Sequence, residues 1–219
     1  MVITIDGAAG VGKTTTAKKL ARMLGFGYLD TGAMYRAITY FFIQHQVDIE
    51  SKNMVINSLD TLSLDVSFPV DRPTKIMLDG EDISEDIRKK VVTNRVSQVS
   101  AIEDVRKKMV KIQKEIVSNG NFVVEGRDIG TVVFPNAEHK FFLVADYDIR
   151  AERRLKDFDN VNEKFDLSDI KNDLIRRDEH DKNRKFSPLK KAEGAVVIDT
   201  SNCSIDEQVE SIYKYIERV

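Results

Sequence analysis

Between Gly7 and Thr14 the chain reads Gly-Ala-Ala-Gly-Val-Gly-Lys-Thr: a glycine, four free positions, a second glycine, a lysine and a threonine. Glycines allow backbone N–H groups to come close to a ligand that a Cβ would hold away, so such a run can wrap an anion with several oxygens. The lysine adds a positive charge on a long stem, and the threonine a hydroxyl able to ligate a hard divalent cation. The apolar run Val2–Ile5 precedes this loop, and a helical spacing, Ala17, Leu20, Ala21 and Leu24, follows it. A loop set between a strand and a helix start turns the positive end of the helix dipole toward the anion, which a glycine-rich turn binding nothing would not need. The expected chemistry is polyphosphate binding. Gly7, Ala8, Ala9, Gly10, Val11, Gly12, Lys13, Thr14 and Thr15 are assigned to ATP, with Lys13 at the β- and γ-phosphates and Thr14 on Mg2+.

A loop of this kind serves motors, GTPases, transporters and kinases alike, so the other motifs must choose among them. Leu29-Asp30-Thr31-Gly32-Ala33-Met34-Tyr35-Arg36 follows a second apolar run, with Thr31 in a position that suits a helix N-cap and Arg36 on that helix's second turn. Glu125-Gly126-Arg127-Asp128-Ile129-Gly130 follows a third. Arg177-Asp178-Glu179-His180-Asp181-Lys182-Asn183-Arg184 ends a helical stretch. In open parallel sheets ligands lie beyond the carboxyl ends of the strands, where two of these motifs begin, so their arginines are expected to converge on one cleft. Arginine fits a phosphate because its planar fork gives two parallel hydrogen bonds and stays charged. Arg36, Arg127 and Arg184 are the candidates for clamping such a group. Arg150, Arg153 and Arg154 fit either lid arginines that close over the nucleotide or the exposed face of a helix.

The elements that must position these residues follow from the apolar pattern. Val2–Ile5, Phe26–Leu29, Phe122–Val124, Phe141–Ala145 and Ala195–Ile198 are short, rich in β-branched and aromatic residues and mostly without polar alternation, as strands buried on both faces are. Between them, Val105, Met109, Ile112 and Ile116 keep a helical spacing, and Ser204 with Glu207 forms a capping box ahead of Val209, Ile212 and Ile216. Alternating strands and helices predict a parallel sheet covered on both faces. Leu62–Phe68 and Lys75–Leu78 break this pattern by alternating apolar with polar, and Pro69, Pro73 and Asp79-Gly80 supply turns, so an inserted antiparallel lobe is expected at about 56–95. The polar stretch Asp157–Lys164 is expected to form a mobile lid. Tyr35, Tyr40, Phe41 and Phe42 share a helix with Ala37 and Ile38 and are expected in the core rather than stacked on a base.

The 34 basic and 36 acidic side chains nearly cancel, so no net field draws the chain to nucleic acid or an anionic membrane, and anion binding must be local. Cys203 is the single cysteine, and His45, His139 and His180 have no zinc-site spacing, which fits a reducing cytoplasm. No signal peptide or membrane span is expected.

Taken in order along nearly the whole chain, these segments resemble the bacterial cytidylate kinase family. Beyond the glycine-rich loop, the resemblance rests on Asp30–Arg36, Leu78-Asp79-Gly80-Glu81-Asp82-Ile83-Ser84, Gly126–Pro135 and the Arg177–Arg184 run followed by Ser187-Pro188-Leu189. Thr31 stands where many members carry serine, and Ile102-Glu103-Asp104 where Phe-Pro-Arg is frequent. The resemblance implies an α/β P-loop fold: a five-stranded parallel sheet with helices on both faces, a small inserted antiparallel lobe that binds the monophosphate, and a short lid. In those terms the core covers about 1–55 and 96–219, the insert about 56–95 and the lid about 150–165. It implies transfer of the ATP γ-phosphate to CMP or dCMP with Mg2+, by a monomer, with Lys13, Arg127, Arg184 and Arg153 catalytic. Thr31, Arg36, Ser97, Arg106, Arg127, Asp128, Arg177, Asp181 and Arg184 match the acceptor positions. Asp181 then accepts from a ribose hydroxyl or pairs with Arg177, and either Glu125 or Asp128 organises Mg2+ through water. A UMP/CMP, adenylate or shikimate kinase is the nearest alternative, and a nucleotide-responsive regulatory module the alternative from another class.

Overall fold

The computed structural model describes residues 1–67, 75–156 and 166–218. Two compact units emerge, one formed by Met1–Leu29 with Asn121–Val219, the other by Asp30–Gly120. In chain order the elements are β1 (Val2–Gly7), α1 (Lys13–Leu24), β2 (Gly27–Asp30), α2 (Thr31–Gln44), α3 (Lys52–Thr61), β3 (Leu64–Ser67), β4 (Lys75–Leu78), β5 (Glu81–Asp82), α4 (Lys90–Val99), α5 (Glu103–Val117), β6 (Phe122–Gly126), β7 (His139–Val144), α6 (Tyr147–Lys156), α7 (Leu167–Asn183), β8 (Val196–Asp199) and α8 (Ile205–Arg218). A five-residue π-turn, Ile129–Val133, follows β6.

The first unit is built on a five-stranded sheet in the order β2-β6-β1-β7-β8. β1 runs parallel to both neighbours, with Asp6 opposite Gly126 of β6 and Gly7 opposite Leu143 of β7. This register brings the ends of β1 and β6 level, so the glycine-rich loop and the Arg127 segment leave the sheet side by side. Ile3, Ile5, Val123, Phe141 and Leu143 are all but fully buried, as expected for strands covered on both faces. At about 1.5–3 kcal/mol for each large apolar side chain removed from water, this cluster holds the unit together. α1 adds Ala17, Leu20 and Ala21 to it and α8 adds Val209 and Ile212. The capping box forms: the Ser204 N–H donates to the Glu207 carboxylate at 2.8 Å, and the Glu207 N–H donates back to the Ser204 hydroxyl at 3.3 Å. Among the described residues no helix is long and apolar enough to cross a membrane.

The second unit carries the three-stranded antiparallel sheet β3-β4-β5, in which Leu64 faces Leu78 and Val66 faces Ile76. Asp79 and Gly80 join β4 to β5 with φ of 50° and 84°, the left-handed pair that a two-residue hairpin needs. Residues 68–74, with Pro69 and Pro73, lie outside the described residues. Tyr35, Phe41 and Phe42 on α2 are buried, as expected. The start of α2 corrects one expectation. Asp30, not Thr31, is the N-cap: its backbone is still extended, and its carboxylate accepts from the Ala33 N–H at 2.9 Å. Leaving the strand one residue earlier places the stronger capping residue at the boundary and makes Thr31 the first helical residue, buried in the unit.

Candidate active site

The glycine-rich loop holds its own backbone in place through side chains. The Lys13 ammonium donates to the Ala8 carbonyl at 2.6 Å, the Arg150 Nε to the Ala9 carbonyl at 2.6 Å and the Thr200 hydroxyl to the Val11 carbonyl at 3.0 Å. In a trans peptide the N–H points opposite to the C=O, so fixing these carbonyls directs the N–H groups of Ala9, Gly10 and Gly12 the other way. A Cβ on Gly7 would stand 2.4 Å from the Leu143 carbonyl, which excludes any other residue there. Gly12 is the N-cap of α1, with no side-chain cap and no acidic residue in the first turn. The helix start therefore keeps its positive potential for a bound anion. Thr14 and Thr15 are exposed on this first turn, whereas Lys13 is buried.

Burial pushes the Lys13 pKa down to about 7, Arg127 and Arg177 push it the same way, and Glu125 and Asp6 oppose them. Beside it, the Asp6 carboxylate accepts from the N–H groups of Ile129 and Gly130 at 2.8 and 2.7 Å. Burial lifts its pKa to about 6 in spite of those two bonds. Glu125 is buried and accepts from the Tyr28 hydroxyl at 2.5 Å.

Two of the arginine motifs meet at the end of α7. The Arg127 Nε donates to Asp181 at 2.9 Å, and the Arg184 guanidinium stands 3.5 Å from Asp128 and 3.7 Å from Asp181. Burial pushes the Asp181 carboxyl up, but Arg127 and Arg184 outweigh it and hold the group below the usual carboxylate range. Lys13, Arg127, Asp128, Arg177, Asp181 and Arg184 thus belong to one neighbourhood of the first unit. Asp181 is held by cations from the segment after β6 and from the end of α7, and the charge of Arg177, four residues before it, acts in the same direction.

Arg150 needs a second correction. It is neither an exposed helix cation nor a solvent-facing lid arginine, since its guanidinium forms two bonds to Asp178, at 2.7 and 2.9 Å, with both side chains almost fully buried. Its Cζ lies 4.7 Å from the Tyr147 ring centroid. Arg153 donates to the Thr200 carbonyl and hydroxyl, at 2.5 and 3.2 Å. Asp157–Lys164, the expected lid, lies outside the described residues. Breaking a buried pair strands a charge, so Asp178→Ala is expected to cost about 3–5 kcal/mol. A denaturant midpoint for Asp178→Ala equal to that of the parent would show that Arg150 finds other solvation.

In the second unit Arg36 donates to the Thr93 hydroxyl at 2.8 Å. Arg106 is buried on α5, donates to the Ser100 carbonyl at 2.9 Å and has its guanidinium 5.1 Å from the Tyr35 ring centroid. The Ser97 carbonyl accepts from the Ser100 hydroxyl at 3.2 Å. Thr31, Arg36, Ser97 and Arg106 are therefore held by one compact unit, and α2 and α4 supply three of them. Asp6, Asp178 and Thr200 were not singled out from sequence. Asp6 reads as the first residue past the apolar run Val2–Ile5 and Asp178 as one acid in a charged run; only a charge directly after an apolar strand hinted at the first.

A loop made to take a polyphosphate, with guanidinium groups close to its lysine, is the arrangement of a P-loop kinase. The fold agrees: shikimate kinase from Bacteroides thetaiotaomicron matches with a TM-score of 0.52 at 13% identity, covering 99% of this chain and 98% of that one. The sequence narrows the class. The cytidylate kinase family model matches residues 3–218. A cytidylate kinase of Caldanaerobacter subterraneus is 44% identical over 216 residues, covering 99% of this chain and 94% of its own. One from Clostridioides difficile is 43% identical, covering 99% of this chain and 98% of its own. The chain belongs to the cytidylate kinase family.

Proposed function

We propose that the chain transfers the γ-phosphate of ATP to CMP or dCMP, giving ADP and CDP or dCDP. The observation that carries this reading is the cluster in which Arg127 and Arg184 share Asp181, with Asp128 also beside Arg184, close to the glycine-rich loop. Such guanidinium groups, each already oriented by a carboxylate, suit a second phosphate beside the ATP phosphates.

An oxygen of the acceptor phosphate attacks the γ-phosphorus, and the bond from that phosphorus to the β–γ bridging oxygen breaks. The nucleophile is already an anion, so no general base is needed. The obstacle is repulsion. Two unit charges about 4 Å apart at an effective dielectric near 20 repel by roughly 4 kcal/mol. Lys13, Arg127 and Arg184 offset this as charge moves onto the transferring group, with Arg153 as a further candidate. The loop residues Gly7–Thr15 hold ATP through backbone N–H groups. Thr31, Arg36, Ser97, Arg106, Asp128, Arg177 and Asp181 are proposed as acceptor contacts, and the segment 56–95 as the monophosphate-binding lobe.

The exposed Thr14 hydroxyl at the start of α1 is a hard oxygen donor suited to Mg2+, whose other ligands would be phosphate oxygens and water. When bound, the ion supplies positive charge to the phosphates. Glu125 and Asp128 remain candidates for orienting its waters.

The test is ADP release with CMP, dCMP, AMP and shikimate as acceptors, and with no acceptor. Rapid turnover with CMP and dCMP alone is expected. Equal ADP release with and without acceptor would overturn the assignment in favour of a nucleotide-hydrolysing module.

A further inference from the structure

The buried Asp6 carboxylate has no place in the roles above. We propose that Asp6 is a positioning residue for the acceptor arm of the reaction: by holding the N–H groups of Ile129 and Gly130 it sets where Arg127 and Asp128 stand. The inference rests on the reading of Arg127 and Asp128 as acceptor contacts.

Asp6 is 2% exposed at the carboxyl end of β1, opposite Gly126 of β6. Each carboxylate oxygen takes one N–H, from Ile129 at 2.8 Å and from Gly130 at 2.7 Å. Those donors open the π-turn that begins directly after Asp128, a kind of turn frequent at functional sites. The Asp128 carbonyl in turn accepts from the Val132 N–H at 2.9 Å and the Thr131 hydroxyl at 3.2 Å. Asp128 is thus one peptide from the grip of Asp6, and Arg127 two. A neutral side chain would cap one of the two donors without the cost of burying a charge. The pKa of about 6 keeps Asp6 ionised at pH 7.5, so both oxygens remain acceptors. The charges of Asp128 and Lys13 also bear on it, the first raising and the second lowering its pKa.

Asp6→Asn keeps the shape but turns an NH2 group toward one of the two N–H donors. Steady-state kinetics with CMP and ATP varied independently should show the KM for CMP raised about tenfold while the KM for ATP stays within about twofold. General destabilisation would lower the active fraction and leave both KM values alone. A CMP KM within twofold of the parent, or equal rises in both KM values, would overturn the proposal. If Asp6→Asn does not fold, amide exchange of the parent decides. The Ile129 and Gly130 amides should be protected from exchange at least as strongly as the hydrogen-bonded Val132 amide, and exchange at the rate of an unprotected peptide amide overturns the grip. Asp128→Asn, measured alongside, reports separately on the acceptor reading. A raised CMP KM there with no change in Asp6→Asn removes the positioning role alone.

Discussion

Lys13→Ala is expected to abolish phosphoryl transfer, with turnover falling by about three orders of magnitude or more, while the protein remains folded. The lysine charge follows the γ-phosphate as negative charge spreads over its oxygens, and an interaction strongest in the transition state acts on kcat rather than on binding. The fold should tolerate the change. Lys13 is a buried cation held down to a pKa of about 7 mainly by burial, so its removal also removes a desolvation cost. The thermal midpoint should barely move, because the loss of the bond to the Ala8 carbonyl opposes that gain. Single-turnover rates with saturating ATP and CMP are the measurement, and turnover within a few-fold of the parent would remove Lys13 from the mechanism.

The second large effect concerns the base. CMP and dCMP should be good acceptors and UMP a poor one, with kcat/KM lower by about a hundredfold, through Asp128, Ser97 and Arg106. Cytosine offers an amino donor beside ring acceptors, so a carboxylate can receive from the amino group and a guanidinium can donate to the ring. Uracil exchanges the two: its O4 would face a carboxylate with no proton between them, and its N3–H would meet a donor-only guanidinium. Each buried mismatch costs about 1–3 kcal/mol, and two together give the expected ratio. Asp128→Asn should narrow the gap, because an amide either donates or accepts. Competition between CMP and UMP for limiting ATP measures the ratio directly. A ratio within about threefold would remove these residues from base reading and leave the kinase assignment standing.

The chain showed most of its architecture through short-range pattern. β1, β6 and β7 were legible because strands buried on both faces must be apolar throughout, and the Asp79-Gly80 hairpin because few residue pairs accept left-handed backbone twice in succession. Ser204 and Glu207 were legible because both partners of a capping box lie within one turn. What escaped depends on partners far apart in the chain. Asp178 meets Arg150 across 28 residues and Asp181 meets Arg127 across 54, separations that no local spacing rule reaches. Asp6 meets its donors across 123 and 124 residues, through the pairing of β1 with β6. The cap of α2 escaped for the opposite reason, since adjacent Asp30 and Thr31 are both good caps and only the end of the strand chooses between them.

The three carbonyls tied down by Lys13, Arg150 and Thr200 bear on the thermodynamics of nucleotide capture. Ordering a backbone residue costs about 1–2 kcal/mol of conformational entropy, and in this loop folding has already met that cost at the residues involved. Association with ATP should then cost little further loop freedom, so its rate is expected to follow diffusional encounter and ionic strength rather than a slow rearrangement of the loop.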